Sequence, residues 1–404
     1  MEYMEGGVCA AKGFMASGVH CGIRKNKSKK DLALIFSEKK AAAAAIYTLN
    51  LVKGAPIDVT KENLADGYAQ AMICNSGNAN TCNADGIAIA KGMCALAAQH
   101  LPIAASDVIV ASTGVIGQPL SLAPMEKHMG ALCKSLSAHG EGAAAEAIMT
   151  TDTVKKEAAV SFSIGGKTCR LGGMAKGSGM IHPNMATMLV FLTTDAAISP
   201  QMLQRALAKD ADETFHMISV DGDTSTNDMV SILANGMAEN ELIGGEGAAF
   251  DTFCEALNAV TQKLCKAIAK DGEGATKLIT CAVSGAPDKQ TARVAAKSVI
   301  CSSLLKAAMF GADANWGRVL CAIGYGGAKV DVKKIGVTFA SAAGKVAVCQ
   351  SGAGVPFSEE EAKTILLKDE VEILVDLQDG KESATAWGCD LTYDYVKING
   401  DYRT

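Results

Sequence analysis

The chain has 404 residues, and 38 Lys plus Arg set against 43 Asp plus Glu leave a formal charge of -5. With 49% hydrophobic and 20% charged residues, 41 Gly and only 8 Pro, it is not a disordered, collagen-like or charge-solvated polypeptide, and its length allows two or three domains or one large α/β unit. The mild acidity argues against nucleic-acid binding, which needs a concentrated basic face.

In chain order, Arg24, Lys25, Lys27, Lys29 and Lys30 form a short basic cluster, read as a solvated turn. It precedes a strand at Leu32 to Phe36. Ala41 to Ala45 reads as helix, because Ala has the highest helix propensity. Ala71 to Cys74 and Val108 to Ala111 are apolar runs of strand length separated by a helix over Gly86 to His100. Further strands are expected at Val160 to Ile164, Met188 to Leu192, Leu278 to Val283, Ile335 to Ala340, Val346 to Cys349 and Val371 to Leu377. Helices are expected over Pro200 to Phe215, Asp251 to Lys270 and Val299 to Phe310, the first capped by Ser199 with Pro200 in its first turn. Short apolar runs alternating with Ala-rich helical stretches predict an α/β fold of layered helices and sheets. Between Val160 to Ile164 and the strand at Met188, the segment from Gly172 to Ala186 holds four glycines and a proline, which predicts a strained loop feeding a buried strand.

The fourteen cysteines are scattered, with no two at C-x-x-C spacing. Zinc and dithiol redox sites therefore lack a local signature. Several lie inside apolar runs, as Cys74 and Cys349 do, where a reduced thiol packs as a small apolar group. Glu2 and Glu5 interrupt the N-terminal region, and no stretch reaches about 18 apolar residues. A cytoplasmic protein without a membrane span is expected.

Common motifs fail on particular residues. Gly166-Lys167-Thr168 has Ser161 where a P-loop needs glycine. Asp221-Gly222-Asp223-Thr224-Ser225 opens like a calcium loop, but Thr226 and Ile232 occupy the glycine and glutamate positions. The six histidines form no H-E-x-x-H and have no G-x-S-x-G companion. Three polar glycine-bearing patches remain: Asn75 to Asn80, Ser112 to Gly117 and Asp313 to Arg318. Each lies after or near an apolar run, where loop amides of an α/β fold converge on ligands, although such residues also build ordinary turns.

The run Ala175-Lys176-Gly177-Ser178-Gly179-Met180-Ile181-His182-Pro183-Asn184-Met185-Ala186-Thr187-Met188-Leu189 closely resembles the self-cleavage segment of the ornithine acetyltransferase (glutamate N-acetyltransferase) family of arginine biosynthesis. Ser112 to Gly117, Met149 to Thr153, Asp271 to Lys277, Asp313 to Arg318 and Asn399 to Thr404 recur in the same order as in that family, so the resemblance covers essentially the whole chain. It implies a self-processing N-terminal-threonine acyltransferase whose topology differs from that of the standard N-terminal-nucleophile hydrolases. Cleavage between Ala186 and Thr187 would leave an α chain, Met1 to Ala186, and a β chain, Thr187 to Thr404. The new α-amine of Thr187, with a pKa near 8 in model compounds, can act as base for its own hydroxyl. Glycines at 177 and 179 suit the turn that presents the scissile carbonyl.

By the same resemblance, Thr187 takes the acetyl group of N-acetylornithine and passes it to glutamate, and some members also use acetyl-CoA. The oxyanion donors map to Thr113 and Gly114, and the substrate contacts to Thr150, Lys176, Thr187, Glu273, Asn399 and Thr404. Thr150 is chosen over Thr151 by motif register alone. No metal or tightly bound cofactor is implied, acetyl-CoA is a co-substrate at most, and two α and two β chains are expected to assemble. Taken one at a time these residues have plainer readings: Thr187 as a strand residue, Lys176 and Glu273 as surface charges, the tail as a frayed end. His182 reads as loop-shaping, since the amine already supplies a base. An amidohydrolase or aminopeptidase with the same kind of nucleophile is the nearest alternative, and an uncleaved amino-acid-binding protein a more distant one.

Overall fold

The computed structural model describes residues 1–182 and 188–401. Among these, two sheets carry the architecture. The first has nine strands, in spatial order Glu2–Met4, Lys156–Ile164, Lys167–Lys176, Leu189–Thr194, Met229–Ala234, Leu32–Tyr47, Tyr68–Asn75 and Val108–Ser112, with Phe14–Val19 pairing to Leu32–Tyr47 off this path. The second has seven: Ala353–Gly354, Gly344–Gln350, Gly336–Ser341, Glu370–Asp376, Leu278–Ala286, Glu382–Cys389 and Ile218–Ser219. Both sheets mix parallel and antiparallel pairs.

The helix Ala248–Lys270 joins the two sheets. Phe253, Leu257, Val260, Leu264 and Ile268 recur at three- and four-residue spacing and are all buried, the apolar stripe that helical periodicity requires. It packs against Lys156–Ile164 and Lys167–Lys176 of the first sheet and against Glu382–Cys389 of the second, so one continuous core spans both. On the first sheet, Glu141–Ile148 packs against Phe14–Val19 and Leu32–Tyr47, and Gly86–His100 against Val108–Ser112. The mixed α/β layering expected from the sequence is present. All fourteen cysteines are free, and no helix among the described residues is long and apolar enough to cross a membrane.

Helix Gly86–His100 has the bounds that the sequence predicts, and Ser199 caps Pro200–Ala211 by accepting from Met202 N at 3.3 Å. Other expectations need correcting. Ala41 to Ala45 is strand, the second half of the 16-residue Leu32–Tyr47. Ala42 to Ala45 pair antiparallel with Ala234 to Ser231, and Ala41 pairs with Ala69 on the other side. Here pairing and burial outweigh local helix propensity. The helix expected over Val299 to Phe310 is two, Lys289–Cys301 and Ser303–Phe310. Ser302 is extended between them, and its hydroxyl caps the second by accepting from Leu305 N at 3.3 Å. Gly172 to Lys176 belongs to a strand, pairing with Thr193 to Leu189, so the loop begins only at Gly177. In Asp313 to Arg318, Asn315 caps the helix Trp316–Tyr325.

Candidate active site

Several strand ends meet at one edge of the first sheet. Asn75 and Ser112 end their strands, Lys176 ends its own, and Leu189 and Met229 begin the next two. A cavity of about 120 Å3 opens there. Its walls include Thr113, Gly114, Thr150, Lys176, Glu273 and Asn399, drawn from five separate segments. Every described residue that the family resemblance marks as oxyanion donor or substrate contact is therefore in one place. Ala186, Thr187 and Thr404 lie outside the described residues, but Met188, next to Thr187, is in the wall. Thr151 lines the cavity as well, so position alone does not separate it from Thr150.

The Thr113–Gly114 turn is held by asparagines. Asn75 O accepts from Thr113 N at 2.9 Å, Asn75 Nδ2 donates to Ser112 Oγ at 2.6 Å, and Asn75 Oδ1 accepts from the amides of Gly77 and Asn78. Asn227, only 5% exposed, donates to Ala79 O at 2.5 Å and Ser112 O at 2.9 Å and accepts from the hydroxyls of Thr81 and Thr226. Three chain segments are pinned by this one amide. Gly114 has φ +125°, and a Cβ there would stand 2.7 Å from Gly77 C, so only glycine fits. Among the described residues nothing accepts from the Gly114 N–H. The Thr113 amide is committed to Asn75, so the donors left for a developing oxyanion are the Gly114 amide and the Thr113 hydroxyl.

Lys176 is 8% exposed, and its Nζ donates to Thr113 Oγ1 at 3.4 Å. Burial pushes its pKa below the usual lysine value, while the Asp152 carboxylate opposes that shift. Beneath it lies a chain of buried charges: Lys156 Nζ is 2.6 Å from both Asp152 Oδ1 and Asp271 Oδ2. Asp152 also accepts from Thr150 N at 2.9 Å and Gly177 N at 2.7 Å. Burial alone would raise the Asp152 pKa, but Lys156, Lys176 and the Gly177 amide bring it down to about 2. Asp271 accepts from Thr153 N at 3.1 Å, and its carbonyl accepts from Ser178 Oγ at 2.7 Å. This network ties together the segments that carry Thr150, Lys176 and Glu273.

The approach to the expected cleavage point is clamped residue by residue. Asp152 holds Gly177, Ser178 O accepts from Glu273 N at 2.9 Å, and Asp221 accepts from Met180 N at 2.6 Å and Ile181 N at 2.8 Å. His182 O accepts from Thr224 Oγ1, and His182 Nδ1 is 3.1 Å from Ser219 Oγ. Burial, and then Lys297, push the His182 pKa down. His182 lines a different cavity, of about 630 Å3, with Cys301 and Lys297. At the far wall of the first cavity, Asn399, on the helix Tyr393–Asp401, donates to Glu273 Oε2 at 2.8 Å and to Tyr395 O at 3.0 Å.

Asp152, Lys156, Asp221 and Asn227, which hold the cavity walls and the approach segment in place, were not singled out for the site by sequence reasoning. Asp152 stands inside the Met149 to Thr153 motif, which was a usable signal. Asn227 had none, because apart from the neighbouring Thr226 the groups it joins, at Ala79, Thr81 and Ser112, lie more than 100 residues away.

Comparison with known proteins follows the same lines. A model of the ArgJ family matches residues 15–404. The chain is 50% identical over 405 residues to the "Arginine biosynthesis bifunctional protein ArgJ" of Caldanaerobacter subterraneus subsp. tengcongensis, covering 100% of both. It is 51% identical over 406 residues to the protein of that name from Symbiobacterium thermophilum, again covering 100% of both. Among solved structures, the arginine biosynthesis bifunctional protein argJ of Bacillus halodurans is 47% identical with a TM-score of 0.50, the match covering 53% of this chain and 98% of that one. A match of this length and identity, on a chain whose motif residues gather in one cavity, places the protein in the ArgJ family.

Proposed function

We propose that this chain is an acetyltransferase of arginine biosynthesis that moves the acetyl group of N-acetylornithine to glutamate through an ester on Thr187, and that it also makes N-acetylglutamate from acetyl-CoA and glutamate. The observation that carries this reading is the gathering of Thr113, Gly114, Thr150, Lys176, Glu273 and Asn399 around one cavity whose wall includes the neighbour of Thr187.

Maturation comes first. Thr187 Oγ attacks the Ala186 carbonyl carbon, the C–N bond to Thr187 breaks, and an ester with a free Thr187 amine results. Water cleaves that ester to give the α chain, Met1 to Ala186, and the β chain, Thr187 to Thr404. The clamps on Gly177, Met180 and Ile181 suit a segment that must present one carbonyl in a fixed pose. In the transferase cycle the Thr187 amine takes the hydroxyl proton as Oγ attacks the acetyl carbonyl. Gly114 N–H and the Thr113 hydroxyl stabilise the tetrahedral oxyanion, and ornithine leaves with the proton. Glutamate's amine then attacks the acetyl ester to give a second tetrahedral intermediate held by the same donors; its C–Oγ bond breaks, Thr187 Oγ takes back the proton that the attacking amine gave up to the Thr187 amine, and N-acetylglutamate leaves. Lys176 is assigned to the substrate α-carboxylate and Glu273 to the cationic side chain of the donor. Thr150 and the tail from Asn399 to Thr404 are assigned to the remaining polar contacts. The chemistry calls on no metal and no bound cofactor.

The two chains would not be separate domains. The strand Lys167–Lys176 pairs with Leu189–Thr194 across the cut, and Leu32–Tyr47 pairs with Met229–Ala234, so α and β share one sheet. Two such pairs form the expected heterotetramer, in the cytoplasm. The solved Bacillus halodurans chain, matched over 98% of its length by 53% of this one, is about half as long, the size expected of one cleavage product.

Intact mass under denaturing conditions with N-terminal sequencing is the test. Two fragments, one starting at Thr187, are expected from the wild type, and one inactive 41.6 kDa chain from Thr187→Ala. A variant that is cut or active overturns the nucleophile assignment. Release of free acetate without transfer to glutamate would mark an amidohydrolase instead.

A further inference from the structure

A ping-pong transfer between N-acetylornithine and glutamate asks one subsite to accept a cationic side chain first and an anionic one second. A fixed carboxylate in that subsite helps the first and repels the second. Glu273 is such a group. Its amide is bonded to Ser178 O at 2.9 Å, and its carboxylate lies against the backbone of Gly179, where an added Cβ would meet Glu273 Oε2 at 2.3 Å. With main chain and carboxylate both packed against the 178–179 segment, Glu273 is poorly placed to swing aside when the substrate changes.

Its partner is differently held. Asn399 donates to Glu273 Oε2 at 2.8 Å from the helix Tyr393–Asp401. None of the residues in that helix is buried. The contacts that hold it include Thr392 Oγ1 to Gly274 O at 2.7 Å, Tyr395 OH to Asp221 Oδ2 at 3.2 Å and the edge-on packing of Tyr393 against Phe310. An amide N–H on a carboxylate oxygen offsets part of its charge, and a surface helix with little apolar burial can shift cheaply.

We propose that Asn399 is a specificity-determining residue that masks the Glu273 carboxylate, so that the same subsite serves the cationic donor and the anionic acceptor. The inference rests on the transferase reading above. When N-acetylornithine binds, its ammonium pairs with Glu273. When glutamate binds, the Asn399 amide keeps the Glu273 charge offset and lowers the repulsion of the incoming carboxylate.

Separate KM values for N-acetylornithine and glutamate test this on the self-processed enzyme. Glu273→Gln, which keeps the shape, is expected to raise the KM for N-acetylornithine about tenfold without raising that for glutamate. Asn399→Asp, which replaces the mask by a second negative charge, is expected to raise the KM for glutamate about tenfold and to move that for N-acetylornithine much less. Asn399→Ala should move in the same direction by less. Both KM values rising together in every variant, or a glutamate KM within about twofold of wild type in Asn399→Asp, overturns the masking role. The Asn399 pair is on the surface and decides the matter alone if Glu273→Gln fails to process. A wild-type enzyme that moves no acetyl group to glutamate overturns the transferase reading itself, which is a separate result.

Discussion

Thr113 carries two hydrogen-bond donors, and they are not equivalent. Its amide donates to Asn75 O at 2.9 Å, whereas its hydroxyl oxygen accepts from Lys176 Nζ at 3.4 Å. An ammonium has no lone pair to offer, so the Thr113 O–H points away from Lys176 and can serve the cavity. Thr113→Val, which keeps the amide and loses the hydroxyl, is therefore expected to lower kcat about 100-fold with little change in KM, while Thr113→Ser retains most of the activity. Steady-state kinetics on the processed enzyme decide it, and near-normal turnover in Thr113→Val would return the donor role to the main chain. At this scale the sequence was legible where a residue belongs to a contiguous motif, as Thr113, Lys176 and Glu273 do. It was illegible where a side chain acts through distant partners. Asn227 sits within a failed calcium-loop pattern, and nothing local indicates that its amide will join Ala79, Thr81 and Ser112.

Among the elements, the buried charges under the cavity tie together the segments that carry Thr150, Lys176 and Glu273. Lys156 stands in the strand Lys156–Ile164 with 1% exposure and bridges Asp152 and Asp271 at 2.6 Å each. Replacing both partners of such a pair can be harmless, but removing one leaves a buried charge without compensation. Lys156→Met takes the ion-pair partner from two carboxylates at once, leaving Asp152 its amide donors and the more distant Lys176. It is expected to cost about 3–5 kcal/mol and to slow self-cleavage, because Asp152 also holds Gly177 and Thr150. Chemical denaturation and the fraction cleaved over time measure the two effects, and a stable, promptly cut Lys156→Met protein would show the bridge to be dispensable. The elements themselves were legible where periodicity is strong, as in Gly86–His100 and in the stripe of Ala248–Lys270. They were misread where composition speaks for one structure and pairing imposes another. Ala41 to Ala45 is good helix material, yet it is strand because Met229–Ala234 pairs alongside. The break at Ser302 was hidden because the apolar pattern continues across it, and only the cap bond to Leu305 marks the new helix.

For the whole molecule, strand pairing across the expected cut makes α and β one folding unit, so stability against pH belongs to both chains together. Two buried carboxylates act on it in opposite senses. Asp152 is depressed to about 2, so its contribution is present above the ordinary carboxylate pKa of about 4 and is lost as pH falls through about 2. Asp210, on Pro200–Ala211, is raised to about 6 by burial, against hydrogen bonds from Asn258 and Thr214 that lower it. A raised carboxylate favours the protonated native state: the folded protein binds more protons than the unfolded one between about pH 4 and 6, and stability falls across that window. From these two groups, stability climbs from about pH 2 to 4, declines to about 6 and is level thereafter. Asp210→Asn removes the declining limb, because an amide cannot ionise and can still accept one of the hydrogen bonds. Wild type and variant should melt together near pH 4 and separate by about 3–4 °C at pH 7, the variant higher, since raising a carboxylate from about 4 to about 6 is worth about 3 kcal/mol in a chain of this size. Melting midpoints measured every half unit from pH 4 to 7 test the point. Curves that run parallel over that range would place the Asp210 titration outside it.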